Sequence, residues 1–234
     1  MKKVNFPYAG FWVSWHFQDV KAVEYEQYLS NKVVMSGVYV DLEYLLRVLF
    51  KYELLIPTYV ITDPYQKIHI EGATFEKTIE TLKELISLQK LTFEISVGGY
   101  GIVYDDKNQA LIQEDLILVN NFRFFQRGFN ISTTKSLWVP ISLDDTYQFN
   151  WQIQLARNNC PRLEASLREI KAALEIEMYP AEDEIDRDNP IWIKGYKPYL
   201  NPSILLYEYQ KNPPSEQFDI QEFLIDEQSN KPKP

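Results

Sequence analysis

The chain has very little of the material from which metal sites and nucleophilic sites are built. It contains one cysteine, Cys160, and two histidines, His16 and His69, among 234 residues. A lone thiol excludes an intramolecular disulfide and a multi-cysteine metal site. The histidines do not have the HxxxH or HxH spacing of metal ligands, and both fall on strand patterns, where a half-exposed histidine is ordinary. We therefore expect no bound metal and no cofactor.

Long apolar runs and an excess of basic residues are also missing. No stretch approaches the ~18 uninterrupted apolar residues of a transmembrane helix. Asn5, Pro7 and Gly10 interrupt the apolar region that a signal peptide would need. The net charge is −9, so phosphate backbones and anionic membrane surfaces repel the chain. We expect a cytoplasmic protein that binds neither nucleic acid nor membrane.

Core-forming residues, in contrast, are plentiful. Hydrophobic residues make up 45% of the chain and aromatic residues 15%, which is typical of a globular protein that can bury a sizeable core. The length falls within the range of one large domain. We predict a single α+β domain over residues 1–226, built as an antiparallel sheet packed by three main helices. We expect a frayed polar tail over residues 227–234.

Apolar residues at three- and four-residue intervals predict the three main helices, over residues 41–52, 74–89 and 162–178. We expect Asp41 to cap the first helix and Pro161 to lie in the first turn of the third. The helical side chains expected in the core are Leu45, Leu46, Leu49, Phe75, Ile79, Leu82, Leu163, Leu167 and Ile170.

Alternating apolar and polar residues predict the strands of the sheet. The segments with this pattern, or with short apolar runs, are residues 11–17, 58–62, 67–71, 91–125 and 203–209. Short strands joined by tight turns favour an antiparallel meander.

Three sequence features suggest chemistry, and each has a structural interpretation that we favour. Cys160 has no partner motif and is expected to be structural. The glycine-rich run at residues 98–101 fits a hairpin turn better than a phosphate loop, which would need a helix after it. Adjacent acidic residues on a strand point to opposite faces, so we expect the doublets in turns or on the surface. These doublets are Asp105-Asp106, Glu114-Asp115 and Asp144-Asp145.

The last third of the chain contains the most suggestive contact surface. Residues 160–234 hold 15 acidic and 9 basic residues, a net charge of −6. Carboxylates at the rim of an interface steer a basic partner, and buried aromatic rings retain it. The alternative is that the aromatic rings pack this segment onto the core. The candidate partner-binding residues are Glu182, Asp183, Glu184, Asp186, Asp188, Trp192, Tyr196 and Tyr199.

Taken together, these features predict a non-enzymatic, acidic protein-binding module. Its expected partner is a basic protein, such as a toxin domain, and a bacterial toxin-neutralising inhibitor of the immunity type fits best. Two other classes stay open. One is a hydrolase with scattered carboxylates or Cys160 at its site; the other is an assembly or structural subunit of phage or cellular origin. A pocket with converging carboxylates would favour the hydrolase, and a large flat apolar face the subunit.

Overall fold

The computed structural model describes residues 1–4, 8–18, 32–62, 66–70, 74–87, 94–123, 128–143, 149–180, 191–215 and 218–224. Its helices are α1 (Lys32–Lys51), α2 (Phe75–Ser87), α3 (Ile153–Leu174) and α4 (Pro202–Lys211), followed by a 3-10 helix (Ile220–Phe223). Its strands are β1 (Lys3–Val4), β2 (Tyr8–Gln18), β3 (Ile56–Thr62), β4 (Gln66–His69), β5 (Glu94–Tyr104), β6 (Ala110–Glu114), β7 (Leu118–Arg123), β8 (Gly128–Lys135), β9 (Ile141–Leu143), β10 (Phe149–Trp151), β11 (Glu177–Pro180), β12 (Ile191–Lys194) and β13 (Lys197–Leu200).

Nine of these strands form one sheet around the long central strand β5. Along one edge of β5 runs β3, which in turn pairs with β4. Both β6 and β7 pair with the opposite edge of β5, β6 with its C-terminal part and β7 with its N-terminal part. β1 lies outside β6, and β8, β2 and β11 extend the sheet beyond β7. Every pair in this sheet is antiparallel except β1 with β6, so the α+β prediction is confirmed.

One face of the sheet packs against the helices and forms part of the main core. A row of paired residues crosses five strands, and all of its members are fully buried: Val60, Val97, Val119, Ile131 and Trp15. The apolar stripes of α1, α2 and α3 belong to the same core. All nine helical side chains that the periodicity places inside are at most 4% exposed, as burial of a helical stripe requires.

A second, smaller core lies where the start of α3 meets the C-terminal elements. It is formed by β9, β13, α4 and the 3-10 helix, with Leu205 and Phe223 among its buried residues. The Trp151 and Phe218 rings pack against it with their centroids 5.2 Å apart, and the Tyr209 ring centroid lies 6.3 Å from that of Trp151. None of the described helices is long and apolar enough to cross a membrane.

Two of the predicted helix starts are wrong. α1 begins at Lys32, so Asp41 lies inside the helix instead of capping it. α3 begins at Ile153, so Pro161 lies in its interior and not in its first turn. Buried side chains before and after Pro161 pack on the core, and this packing outweighs the helix hydrogen bond that proline removes. The start of α2 is confirmed, because the Thr74 hydroxyl accepts a hydrogen bond from the Lys77 amide at 3.2 Å.

Two other predictions of local structure are also wrong. The glycine-rich run at residues 98–101 lies within strand β5 and forms no hairpin turn. Residues 203–209 belong to helix α4, not to a strand. The Asn201 side chain accepts a hydrogen bond from the Ser203 amide, and Pro202 occupies the first turn. Both are signals of a helix N-terminus, and they override the short apolar run. The predicted polar tail at 227–234 lies outside the described residues.

Candidate functional site

The face of the sheet opposite the main core carries a polar cleft. Side chains on a strand alternate between the two faces, so residues next to buried ones, such as Tyr59 beside Val60, point away from the helices. The cleft has a volume of about 480 Å³ and extends across β4, β3, β5, β6 and β1. Its charged and aromatic residues include Lys3, Tyr59, Lys67, His69, Glu114 and Asp115.

Tyr59 is the central group of the cleft. Its ring lies directly on Gly98, where an added Cβ would be 2.2 Å from the ring carbon Cζ. Glycine at this strand position therefore makes room for the ring. The Tyr59 hydroxyl donates a hydrogen bond of 2.8 Å to Asp115 Oδ1. Burial and this bond raise the pKa of Tyr59 well above its usual value, so the phenol keeps its proton and acts as a donor.

Asp115 reaches Tyr59 because the backbone turns sharply at this residue. Its φ is 49°, in the left-handed region, and its amide donates to the Gly99 carbonyl at 2.8 Å. The turn separates β6 from β7 and interrupts the alternation of side chains. Glu114 and Asp115 therefore line the same cleft. The expected turn or surface placement of this doublet is confirmed, since Glu114 is exposed at the end of β6 and Asp115 lies in the turn, but both residues line the same side of the sheet.

The two carboxylates of the cleft lie between its two lysines, with Lys67 in β4 on one side and Lys3 in β1 on the other. The Lys67 ammonium lies 3.6 Å from the centroid of the Tyr59 ring, a cation–π contact. Lys3 pairs with Glu114 at 2.8 Å, and both of these side chains are mostly exposed. Lys3, and Lys67 at longer range, lower the pKa of Glu114, so this carboxylate is ionised at neutral pH.

The two histidines do not come together in the folded chain, and the cysteine is buried. The described residues contain no group of three or more His, Cys, Asp and Glu side chains that could hold a metal ion. His16 and His69 lie on the same face of the sheet but five strand spacings apart, roughly 24 Å, which is too far to share a metal. Cys160 is buried in α3, and burial raises the pKa of its thiol to about 11, so it is no activated nucleophile.

Only part of the C-terminal site predicted from the sequence falls within the described residues. The acidic residues 182–188 lie outside them. Trp192 lies in β12, opposite Tyr199 in β13. The Tyr196 ring is 4.5 Å from the Arg168 guanidinium and packs against the main core. Tyr199 is half-buried, and burial raises its pKa. Both tyrosine rings therefore pack on the chain itself.

The other acidic doublets do not form a site in the described structure. Asp105 lies in the turn between β5 and β6, and its Oδ1 accepts hydrogen bonds from the Lys107 and Gln109 amides. Asp106 is exposed in the same turn, so the surface placement expected for this pair is confirmed. Residues 144–145 lie outside the described residues.

No motif in the sequence predicts the cleft, although one local signal is present. Glycine in the interior of a strand often marks a place where another group comes very close, and Gly98 and Gly99 are such residues. Their close neighbours are Tyr59 and the backbone at residues 56–58.

Comparisons of the whole chain with protein-family models, with curated proteins and with solved structures find no match.

Proposed function

We propose that this protein is a binding protein that recognises a protein partner, and that the cleft on the face of the sheet opposite the main core is its contact site. The observation that carries the proposal is that charged, aromatic and hydrogen-bonding groups from five strands line one cleft. The Tyr59 phenol is held protonated and Glu114 is held ionised. The volume of about 480 Å³ falls in the range of known ligand sites.

The charge of the chain favours a basic partner. At −9, its long-range field accelerates encounter with a cationic protein and disfavours an anionic one. An inhibitor that covers a toxin needs such a field and a contact surface, but it needs no catalytic residues. A toxin-neutralising inhibitor of the immunity type is therefore the class that we propose.

A hydrolase has less support from the described residues. Glu114 and Asp115 do line one cleft, as a hydrolase would require, but Glu114 is ion-paired with Lys3 and Asp115 accepts a hydrogen bond from Tyr59. The buried Cys160 thiol is protonated at neutral pH, with a pKa of about 11. An assembly subunit has no more support, since two exposed apolar side chains of α1, Val40 and Phe50, are ten residues apart, roughly 15 Å along the helix, and single exposed apolar residues are ordinary.

A crosslinking experiment with a matched pair of positions tests the proposal. A photoreactive phenylalanine analogue replaces Tyr100, which lines the cleft, or Lys107, which lies in the turn at residues 105–109. We expect the Tyr100 probe, but not the Lys107 probe, to crosslink one host protein, which mass spectrometry then identifies.

The identified partner is then purified and its affinity measured by calorimetry. We expect Lys67→Glu to weaken binding about tenfold, close to the cost of losing one charge-assisted contact. Lys107→Glu makes the same change of charge outside the cleft and should leave the affinity within about twofold. Equal effects of the two variants would show that the contact site is elsewhere.

A further inference from the structure

Two charged groups of the cleft, the Lys67 ammonium and the Asp115 carboxylate, can form further hydrogen bonds or ion pairs. The Lys67 ammonium rests on the Tyr59 ring, and no carboxylate of the described residues lies within ion-pair distance of it. Asp115 accepts the Tyr59 hydroxyl on Oδ1, and the described residues give its other oxygen no hydrogen bond. An ammonium has three donors and a carboxylate about four acceptor positions. Both groups can therefore bind a ligand without giving up their contacts to Tyr59.

Tyr59 contacts both of these groups. The cation lies over the face of its ring, and the carboxylate lies at its hydroxyl. The ring cannot drop toward the sheet, because it already rests on Gly98. A donor and an acceptor that both contact one half-buried ring lie near each other before a ligand arrives, so less conformational entropy is lost on binding.

We infer, on the basis of the proposed function, that the cleft takes a segment of the partner that carries an acidic and a basic side chain close together. The acidic side chain binds Lys67, and the basic side chain binds Asp115. A purely acidic segment would meet Glu114 and Asp115, and a purely basic one would meet Lys3 and Lys67. Only a segment with both charges avoids like-charge contacts along the cleft.

The length of the cleft indicates a polypeptide and not a free amino acid. The lining residues extend from β4 to β1 across four strand spacings, which is roughly 19 Å. An extended chain advances about 3.4 Å per residue, so about six residues cross the cleft. Residues two apart in an extended chain point to the same side, which places the acidic and basic residues of the segment at that spacing.

The probe that tests this inference is the blocked peptide acetyl-Gly-Lys-Gly-Glu-Gly-Gly-amide. Two further peptides replace its lysine or its glutamate with glutamine, and free lysine and free glutamate represent small zwitterions. Binding is followed by NMR from the amide signals of Gly98 and Gly99 and the ring signals of His69. We expect the doubly charged peptide to bind about tenfold more tightly than either singly charged peptide, which is ~1.4 kcal/mol.

Two variants assign the contact to Lys67. Lys67→Met keeps an unbranched side chain on the Tyr59 ring but removes the charge, so the glutamate of the peptide should lose its effect on affinity. Lys107→Met changes an exposed turn residue and should behave as wild type. Lys67 is itself exposed, so circular dichroism should show both variants folded.

The possible results separate this inference from the proposed function. If all three peptides bind alike, or if free amino acids bind as tightly as the peptide, the inference is wrong. The proposed function still holds in that case, provided that Lys67→Glu weakens binding of the purified partner. If Lys67→Glu leaves the affinity for the partner unchanged, the cleft is not the contact site, and both proposals fail.

Discussion

Gly98 determines the shape of the cleft by having no side chain. The three atoms nearest to a Cβ built at this position all belong to the Tyr59 ring or its hydroxyl, at 2.2–2.7 Å. Any other residue therefore displaces Tyr59 and disturbs its hydrogen bond to Asp115. The sequence suggests a turn at Gly98, but in the structure this glycine lies within strand β5 and the Tyr59 ring packs on it.

We expect Gly98→Ala to lower the free energy of unfolding by about 1–3 kcal/mol, the usual cost of overpacking. In a Tyr59→Ala background the clash is gone, and the same change should be neutral or stabilising, because alanine costs less backbone entropy than glycine in a strand. Urea denaturation of the four proteins of this double-mutant cycle measures the coupling.

Gly195→Ala serves as the control for this cycle. Gly195 has a φ of +60° and nothing within 4 Å of an added Cβ, so only backbone strain opposes alanine there, about 1–2 kcal/mol. That cost should not depend on Tyr59. Equal costs of Gly98→Ala in both backgrounds would mean that the ring does not rest on this glycine.

The Cys160 thiol gives a prediction about pH. Burial raises its pKa from 9.0 to about 11, so the folded chain holds this proton to higher pH than the unfolded chain does. The unfolded thiol ionises first, and the free energy of unfolding therefore falls as the pH rises from about 9 through 11. Each unit of pKa corresponds to about 1.4 kcal/mol, so the full loss is about 2–3 kcal/mol.

Comparison with Cys160→Ala isolates this contribution, because the other titrating groups are common to both proteins. The stability difference between wild type and variant should shrink by about 2 kcal/mol between pH 8 and pH 11, measured by urea denaturation at each pH. A difference that stays constant over this range would show that the thiol is not desolvated in the folded chain.

At the scale of elements, Arg162 and Asn159 fix helix α3 to the rest of the core. The Arg162 guanidinium donates to the carbonyls of Tyr52 and Ile102, with its shortest bond 2.6 Å from Nη2 to the Tyr52 oxygen. The buried Asn159 side chain accepts from the Tyr104 amide and donates to the Tyr104 carbonyl. These bonds join α3 to strand β5 and to the residue that follows α1.

We expect Arg162→Met to cost about 2–4 kcal/mol of stability, because it leaves two partly buried carbonyl groups without their donor. Lys51→Met is the matched control, since the exposed pair of Lys51 with Glu169 also joins α1 to α3. Exposed pairs contribute about 0–1 kcal/mol. Urea denaturation measures the free energy of unfolding of both variants. Similar losses of stability would contradict a structural role specific to Arg162.

The sequence predicts the types of these elements better than their ends. The leucine stripe of α1 is long enough to identify a helix, whereas the valines and Gly37 upstream have low helix propensity and hide its true start at Lys32. The run at residues 203–209 is too short for periodicity to separate helix from strand. In α4 the cap residue Asn201 and the following Pro202 carry the information instead.

At the scale of the whole molecule, the cleft could not be predicted, because its parts meet only in the folded sheet. Lys3 and Glu114 are 111 positions apart, and Tyr59 and Asp115 are 56 apart. No local motif connects residues at such separations. The order of the strands brings them together, and sequence periodicity indicates that a strand exists without indicating its neighbours.

Net charge, in contrast, follows directly from the sequence, and it leads to a prediction about the rates of association and dissociation with the partner. Exposed charges steer a basic partner over a range that salt screens to ~8 Å at ~0.15 M ionic strength. The association rate should therefore fall as salt rises, while the dissociation rate, which depends on contacts already made, should change less. Residues 160–234 carry −6 of the total −9, so most of the steering should come from this part of the chain.

Surface plasmon resonance with the identified partner immobilised measures the association and dissociation rates separately. Two variants test which residues affect each rate. Combined reversal of Asp183, Glu184 and Asp186 to lysine should slow association about tenfold or more at low salt, because steering raises association rates by 10–1,000-fold. Trp192→Ala should leave association nearly unchanged and speed dissociation, as loss of an aromatic anchor does. If association is independent of salt and both variants bind like wild type, the acidic segment is only solvated surface, and recognition depends on the sheet cleft alone.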